Sequence, residues 1–210
     1  MTLLRPLLAA LSCLAVFAQT GEDPAQYVFG TTVVDTSGFE GRVFLLEPDT
    51  QKLPKFGRMK QAGVLYTNTL NVWPQSFTVG FPNVSDRFEW FGIEYRSKLW
   101  IEKPGKYGFS LLSDDGATLD LNGKTIIDND GLHAAEAISN SAELTRGVYD
   151  LKVEYFQGPR FTVALVLAVA PPGEPWRILD MKNFKPPQDQ EEWLKGKVSR
   201  VGKQTINQMR

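Results

Sequence analysis

The sequence predicts an all-β protein, an antiparallel β-sandwich or barrel followed by a short C-terminal tail that is helical or extended. Three observations support this fold class. Several segments alternate apolar and polar residues with period two, as strands with one buried face do. Turn-forming residues separate these segments at short intervals. Finally, 42% of the residues are hydrophobic and 11% are aromatic, which permits a sizeable β-rich core.

The first 18 residues are typical of a secretory signal peptide. Arg5 provides the positive end, residues 7–17 are apolar, and cleavage after Ala18 would make Gln19 the first mature residue. An uncleaved anchor and a lipoprotein signal at Cys13 are the alternatives, and simple cleavage fits the residues better. Because Cys13 is the single cysteine, the mature chain would contain no disulfide. The apolar run 7–17 is too short to span a bilayer comfortably, so no membrane span is expected after cleavage.

The predicted β-domain covers residues 19–180. In its first half, the clearest strand is 92–102, where Ile93, Tyr95 and Leu99 face one side and charged residues face the other. The segment 48–60 contains two prolines and no clear period, which predicts a loop or a short helix. The strands predicted before residue 103 are 27–35, 42–47, 64–68, 77–81 and 92–102.

In the second half, the turn Lys103-Pro-Gly-Lys106 predicts that strand 92–102 forms a hairpin with the strand that follows it. Residues 161–170 are almost entirely apolar, so this strand is expected at the centre of a sheet. Residues 132–140 are expected to form a loop or a helical turn. The strands predicted after residue 106 are 107–112, 117–123, 124–127, 142–144, 148–156, 161–170 and an edge segment 176–179.

Residues 181–210 form the predicted tail, in which residues 188–200 can be helical because acidic residues precede basic ones. Beyond Glu192 this segment contains basic residues and no acidic residue. We therefore expect the tail to reach a neighbouring subunit, giving a homo-oligomer, or an acidic partner at the cell envelope. A frayed terminus is the alternative.

The most informative motif is Ser113-Asp-Asp-Gly116, which lies between two predicted strands. Two adjacent carboxylates repel each other and need a cation, backbone N–H donors or open water to stay ionised. Calcium collects oxygen ligands of this kind from loops. The pair Asp114 and Asp115 is therefore the candidate metal site, and a polar turn in which one aspartate accepts backbone N–H groups is the alternative.

Four motifs together resemble the PA14 domain family. They are Ser113-Asp-Asp-Gly116, Leu119-Asp-Leu-Asn-Gly-Lys124, Ile127-Asp-Asn-Asp-Gly-Leu-His133 and the run from Gly147 to Gln157. The resemblance implies a β-sandwich or β-barrel module of extracellular proteins. Some members are calcium-dependent lectins, and others are structural or occluding modules, so the fold carries over better than the function.

In the lectin members, a cis peptide joins the two aspartates and both bind the calcium ion that holds sugar hydroxyls, which implies this role for Asp114 and Asp115. A lectin also needs an asparagine and backbone carbonyls from a later loop. Asn129, Asp130 and Asn140 are the nearest candidates. Trp90 is a candidate for stacking on a sugar face, although most tryptophans fill the core or cover an edge.

Other kinds of site fit the sequence less well. The motif around Asp128 lacks the first and last ligands of an EF-hand. His133 is the single histidine, and with no second histidine and no cysteine in the mature chain it is expected to have a structural role. No nucleophile or phosphate-binding motif is present, so we do not expect an enzyme. With 23 basic and 24 acidic residues, nucleic acid is not an expected partner.

The sequence thus predicts a secreted, non-catalytic binding module located outside the cell, at its surface or in the periplasm. Its expected ligand is a glycan, bound with calcium, or a cell-envelope protein. The alternative is a structural or assembly subunit with the same fold and no sugar site. The two differ in whether the metal keeps an open coordination position or is covered by protein.

Overall fold

The computed structural model describes residues 28–159 and 162–186, which form two antiparallel β-sheets packed face to face around one core. Two short 3₁₀ turns, Phe56–Arg58 and Met181–Phe184, accompany the sheets. The strands are β1 (Phe39–Leu45), β2 (Gln61–Thr67), β3 (Asn71–Ser76), β4 (Phe91–Ile101), β5 (Gly105–Asp114), β6 (Ala117–Leu121), β7 (Lys124–Asn129), β8 (Glu136–Leu144), β9 (Gly147–Gln157), β10 (Thr162–Ala170) and β11 (Arg177–Ile178).

The first sheet has six strands in the order β2-β1-β4-β9-β6-β7. Its long central pair, β4 and β9, runs in register from Phe91 opposite Gln157 to Ile101 opposite Gly147. Alternation along these strands buries Ile93, Tyr95 and Val153 and leaves charged side chains on the outer face, as the sequence predicts.

The second sheet has the strand order β11-β10-β5-β8, and β3 pairs with another part of β10. Strand β10 therefore lies inside the sheet, as its apolar sequence predicts. Its core-facing residues Val163, Leu165, Leu167 and Val169 are all buried. The predicted edge segment is confirmed as the two-residue strand β11.

The core joins the inner faces of the two sheets and is rich in aromatic rings. Phe29, Phe77, Phe81 and Phe91 form a cluster in which the rings meet mostly edge to face, with Phe81 and Phe91 centroids 4.8 Å apart. A smaller cluster of Phe44, Leu46, Phe56 and Phe156 lies outside this core. Together these clusters anchor the loops at one end of the sandwich.

Several predicted elements are wrong within the described residues. The first predicted strand is represented only by an isolated bridge between Thr31 and Tyr66, and residues 77–81 form no strand. The preceding segment forms strand β3 instead. Its Pro74 is tolerated because Trp73 and Pro74 lie at an irregularity in the pairing of β3 with β10. Residues 136–144 form the complete strand β8, which pairs with β5 although it is largely exposed.

The predicted hairpin between 92–102 and the following strand is also wrong. Strand β4 pairs with β1 and β9, whereas β5 pairs with β8 and β10 in the other sheet. The turn after Ile101 therefore carries the chain from one sheet to the other, and the turn at Asp114–Gly116 carries it back to β6.

The predicted signal peptide 1–18 and the part of the predicted tail beyond residue 186 lie outside the described residues, and the predicted domain boundaries stay predictions. In the described part of the chain, none of the helical segments has the length and apolar character needed to cross a bilayer.

Candidate functional site

The Asp114–Asp115 pair lies at the end of the sandwich where the chain passes from β5 to β6. The peptide bond between the two residues is cis, as the family resemblance implies. Asp114 is the last residue of β5, with 9% of its surface exposed, and Asp115 is 7% exposed. Both carboxylates are therefore largely removed from water, where an ionised group needs compensation.

Asp115 obtains part of this compensation from two backbone N–H groups. His133 N–H donates to Oδ1 over 3.2 Å, and Gly158 N–H donates to Oδ2 over 2.8 Å. These bonds tie the aspartate to the loop before β8 and to the residue after β9. They favour the ionised form, although burial is the larger effect and raises the pKa of the Asp115 carboxyl.

Gly158 lets its backbone approach the aspartate closely. A Cβ atom at this position would lie 3.1 Å from Asp115 Oδ2 and 2.4 Å from Leu132 Cδ2. Any side chain there would force the leucine to move and would crowd the carboxylate. The glycine is therefore part of the site.

Asp114 is less well compensated than its neighbour. Burial, followed by the negative charge of Asp115, raises the pKa of the Asp114 carboxyl to about 6. The positive potential of His133 and the Ala135 backbone N–H act in the opposite direction but do not cancel this increase. The pair therefore concentrates negative charge that a cation would neutralise.

The segment Asn129–His133 packs directly over the turn. A Cβ atom on Gly116 would lie 2.6 Å from the Gly131 nitrogen and 2.5 Å from Phe156 Cε1, so only glycine fits beneath this segment. The segment begins at the last residue of β7 and ends before β8, and these two strands belong to different sheets. Its position depends on the same crossing between sheets that brings Asp114 and Asp115 to the end of the sandwich.

Asn129 is buried at 5% exposure and lies beside the end of β5. Its Nδ2 donates to Ser113 Oγ over 2.9 Å and to the Glu136 carbonyl over 3.2 Å. Both amide hydrogens are thus used, and the side-chain oxygen remains a neutral donor of the kind that calcium accepts. Asn129 is the predicted ligand candidate that the fold brings close to the aspartates.

The other predicted ligand candidates have different surroundings. Asp130 Oδ1 accepts the Leu53 N–H over 2.8 Å, which ties the side chain to the loop after β1. Asn140 lies opposite Phe109 in β8, about 17 Å of strand from Asp114. Its amide bonds to the Ile126 carbonyl and the Ser141 N–H, so the fold does not bring it to the aspartates.

Trp90 lies at the rim of the site, and its backbone N–H donates to the Gly158 carbonyl over 3.1 Å. The indole is half-buried and packs against the small cluster around Phe44 and Phe56. Its Cζ3 would lie 3.6 Å from a Cβ on Gly158. The residue therefore combines a packing role with a position beside Asp115.

His133 has the structural hydrogen bonds that the sequence analysis expects. Nε2 lies 3.0 Å from the Asn129 carbonyl and Nδ1 lies 2.9 Å from the Ala134 carbonyl. Although burial opposes the charged ring, these two carbonyls and then the Asp115 charge raise the pKa of His133. The ring holds the 129–134 segment in place over the aspartates.

The arrangement suits calcium only if most of its ligands are not side-chain carboxylates. In the described ranges, no group of three or more histidine, cysteine or acidic side chains converges to hold a metal ion. Calcium takes six to eight oxygen ligands, including carbonyls, amides and water. Asp114 and Asp115 with the Asn129 oxygen fit such a set, and the remaining positions would be open to water or to a ligand.

A comparison with known families supports the resemblance. Residues 80–180 match the family model of the PA14 domain. No curated protein matches the sequence.

Solved structures share the fold at low sequence identity. The PA14 domain of the MpAFP antifreeze protein has a TM-score of 0.58 and 15% identity, with 70% of this chain and 88% of that chain covered. The PA14 sugar-binding domain from an RTX adhesin has a TM-score of 0.58 and 14% identity, with 70% and 97% covered.

An anti-sigma factor domain-containing protein has a TM-score of 0.56 and 20% identity, with 72% of this chain covered. The present chain spans 49% of that protein's length. The match to the PA14 family model over residues 80–180 and the two-sheet fold shared with solved PA14 domains agree with the motifs around Asp114.

Proposed function

We propose that this protein is a secreted, non-catalytic module that binds carbohydrate through calcium held by Asp114 and Asp115. The observation that carries the proposal is the buried carboxylate pair at the loop end of the sandwich, in which the pKa of Asp114 is raised to about 6. The similarity in fold to a sugar-binding PA14 domain from an adhesin is in line with it.

The chain's own residues would prepare the site before any ligand arrives. The N–H groups of His133 and Gly158 fix the direction of the Asp115 carboxylate. Asn129, which donates to the hydroxyl of Ser113 next to Asp114, carries a neutral side-chain oxygen. Calcium, when bound, supplies a centre that accepts sugar hydroxyl oxygens as ligands. The half-buried indole of Trp90 offers an apolar surface at the rim, where a sugar ring can pack.

The proposal excludes glycoside hydrolysis by the two aspartates. Carboxylates that hydrolyse a glycosidic bond act from opposite sides of it, about 5 to 10 Å apart. Asp114 and Asp115 are neighbours on a single turn, and Asp115 already accepts two backbone N–H groups. We therefore assign the pair to binding.

A glycan array tests the function directly. The protein is applied with calcium and again with a chelator, beside the variants Asp114→Asn and Asp115→Asn. We expect binding to particular glycans in calcium alone and its loss in both variants. Asp49→Asn, which makes the same change of charge on an exposed loop, is the control and should bind normally. Binding that survives both the chelator and the variants would reject the calcium site.

We also propose that the protein acts outside the cytoplasm. The supporting observation is the arrangement of Arg5, the apolar residues 7–17 and Ala18. Protein recovered from the medium, cell surface or periplasm should have an intact mass that begins at Gln19. A mass that includes residues 1–18 would show that the segment is retained.

The segment beyond Glu192 is proposed to contact a neighbouring subunit or an acidic cell-envelope partner. It carries Lys195, Lys197, Arg200 and further basic residues without an acidic one. A chain that ends at Pro187 should change its oligomeric state in light scattering or lose its attachment to cells. If both properties and the melting temperature are unchanged, the segment has no such role.

A further inference from the structure

The outer face of the six-stranded sheet carries rows of charged side chains. One row crosses four adjacent strands through Glu40, Arg96, Lys152 and Asp120, which are successive partners in the pairing register. In β6, Asp120 lies between Leu119 and Leu121, which are buried in the core, so alternation directs Asp120 to the outer face. These residues are separate from the Asp114 site.

Two cavities lie over this face and share Arg96, Asp120 and Lys152. The larger, of about 990 Å³, extends towards Trp100 and is also lined by Lys185 and Pro186. The smaller, of about 510 Å³, extends towards the Leu53–Gly57 loop, and we call it the acidic cavity. Its charged residues are Glu94, Asp120, Asp128, Asp130 and Glu154, with Lys55, Arg96 and Lys152.

The acidic cavity has an excess of two negative charges, since five carboxylates face three cations. Arg96 is engaged by Glu94 through two hydrogen bonds of 2.7 and 2.9 Å. Lys152 Nζ lies 2.9 Å from both Asp120 and Glu154. The remaining cation, Lys55, is exposed, and the lining has two carboxylates more than cations, so the cavity favours a positively charged ligand.

Asp120 supplies a second, independent observation. The residue is only 8% exposed, and its Oδ1 is buried with no hydrogen-bond partner in the described part of the chain. A buried acceptor left unsatisfied destabilises the folded protein, and more so when it is charged. A donor entering the cavity would remove this destabilisation at the point where the two cavities meet.

The shape of the site selects an organic cation over a metal ion. The acidic side chains around the cavity do not converge into a group able to hold a metal, among the residues that the structure describes. The 510 Å³ volume is also much larger than a single ion needs. A guanidinium or ammonium group on an extended stem brings several N–H donors and can reach more than one carboxylate.

We propose that the acidic cavity binds lysine or arginine side chains of a basic peptide segment, with Asp120 and Asp128 as acceptors. Residues 193–203 of this chain, which contain three lysines, one arginine and no acidic residue, have the required chemistry. Lys185 and Pro186 line the larger cavity, which adjoins the acidic cavity, so the chain passes beside the acidic cavity shortly before this segment. The segment can come from the same chain or from a neighbouring one.

The test uses the full chain and a synthetic peptide of residues 193–203, followed by NMR. We expect amide shifts at Thr118, Asp120 and Lys152 on titration, and at least tenfold weaker binding in Asp120→Asn and in Asp128→Asn. Asp150→Asn is the matched control, because Asp150 pairs with exposed Lys98 on the same sheet face but does not line the acidic cavity. Thermal melting verifies that each variant is folded.

A second arm detects occupation by the chain's own segment, which would block the peptide. A nitroxide on Lys203→Cys, in a Cys13→Ala background, should broaden the amides of Thr118 and Thr125. Broadening that persists on dilution with unlabelled protein indicates the same chain, and its loss indicates a neighbouring chain. The proposal is overturned if neither arm reports on the cavity, or if the peptide affinity is the same in Asp120→Asn and Asp128→Asn as in the unchanged protein.

Discussion

The phenol oxygen of Tyr155 lies 2.7 Å from the carbonyl oxygen of Asp114, so a fully buried core residue holds the backbone of the candidate site. The same hydroxyl lies 2.6 Å from Gln157 Oε1, and its single proton is shared between the two acceptors. Burial raises the pKa of Tyr155 well above its usual value and keeps the phenol neutral. Strand β9 of one sheet thereby fixes the end of β5 in the other.

Tyr155→Phe should reduce stability and weaken calcium binding. Removal of the hydroxyl leaves the buried Asp114 carbonyl without this donor, which costs about 1 to 3 kcal/mol in the free energy of unfolding. Tyr95→Phe is the matched control, because its hydroxyl donates to the Phe29 carbonyl over 2.7 Å in the same core. Urea unfolding and calcium titration should show similar stability losses and a calcium effect only in Tyr155→Phe. An equal calcium effect in both variants would contradict the proposed link.

Calcium should raise the melting temperature of metal-free protein, because a ligand that binds only the folded state stabilises it. At a concentration 100 times the Kd, the expected gain is about 2.7 kcal/mol. Asp114→Asn and Asp115→Asn should remove this gain, and Asp49→Asn should retain it. Differential scanning calorimetry with calcium and with chelator measures the effect, and identical curves for the unchanged protein would eliminate the metal hypothesis.

Gly116→Ala should destabilise the protein and disturb the site together. The added Cβ would meet the Gly131 backbone and the Phe156 ring at 2.5 to 2.8 Å, and overpacking of this kind costs about 1 to 3 kcal/mol. At Gly57 a Cβ meets no atom within 4 Å, so Gly57→Ala is the control and should change stability by less than about 0.5 kcal/mol. Denaturant unfolding compares the two, and a tolerated Gly116→Ala would show that the 129–133 segment can move aside.

Protonation of Asp35 should make the protein less stable at low pH. Hydrogen bonds from the Ser37 hydroxyl and N–H, and then from Asn68, lower the pKa of Asp35 from 3.8 to about 2. Because the folded-state pKa is the lower one, this contribution is present above about pH 4 and is lost as the pH falls through 2. Unfolding free energies between pH 2 and 5 should fall less steeply in Asp35→Asn, and an unchanged slope would refute the assignment.

Local features of the fold follow directly from the sequence. The alternation in β4 and β9 correctly gives the buried face, since each side chain's direction depends only on its position in the strand. The apolar run of β10 correctly indicates an interior strand, since a strand covered on both faces needs apolar residues at nearly every position. By contrast, β8 has little apolar alternation and is mostly exposed, so only its backbone pairing with β5 makes it a strand.

In the candidate site, too, some features can be predicted from the sequence and others cannot. The adjacent carboxylates of Asp114 and Asp115 are visible in the chain, and calcium at this pair stays a prediction. The partners of Asp115, by contrast, are backbone N–H groups of His133 and Gly158, which lie 18 and 43 residues away. The sequence suggests that one aspartate can accept backbone N–H groups, but a backbone donor has no side-chain signature, so neither donor could be identified from the sequence.

The sequence by itself determined that this chain folds into β-strands and that two carboxylates meet at one turn. Only the tertiary structure decided that β5 and β6 belong to different sheets, and with it that Asp114 and Asp115 lie at the end of the sandwich beneath the 129–133 segment. The tertiary structure also forms the acidic cavity around Asp120, since the row of charged residues that includes Asp120 comes from four strands. The physical reason is that strand pairing joins residues far apart in the chain, through backbone groups that every sequence shares.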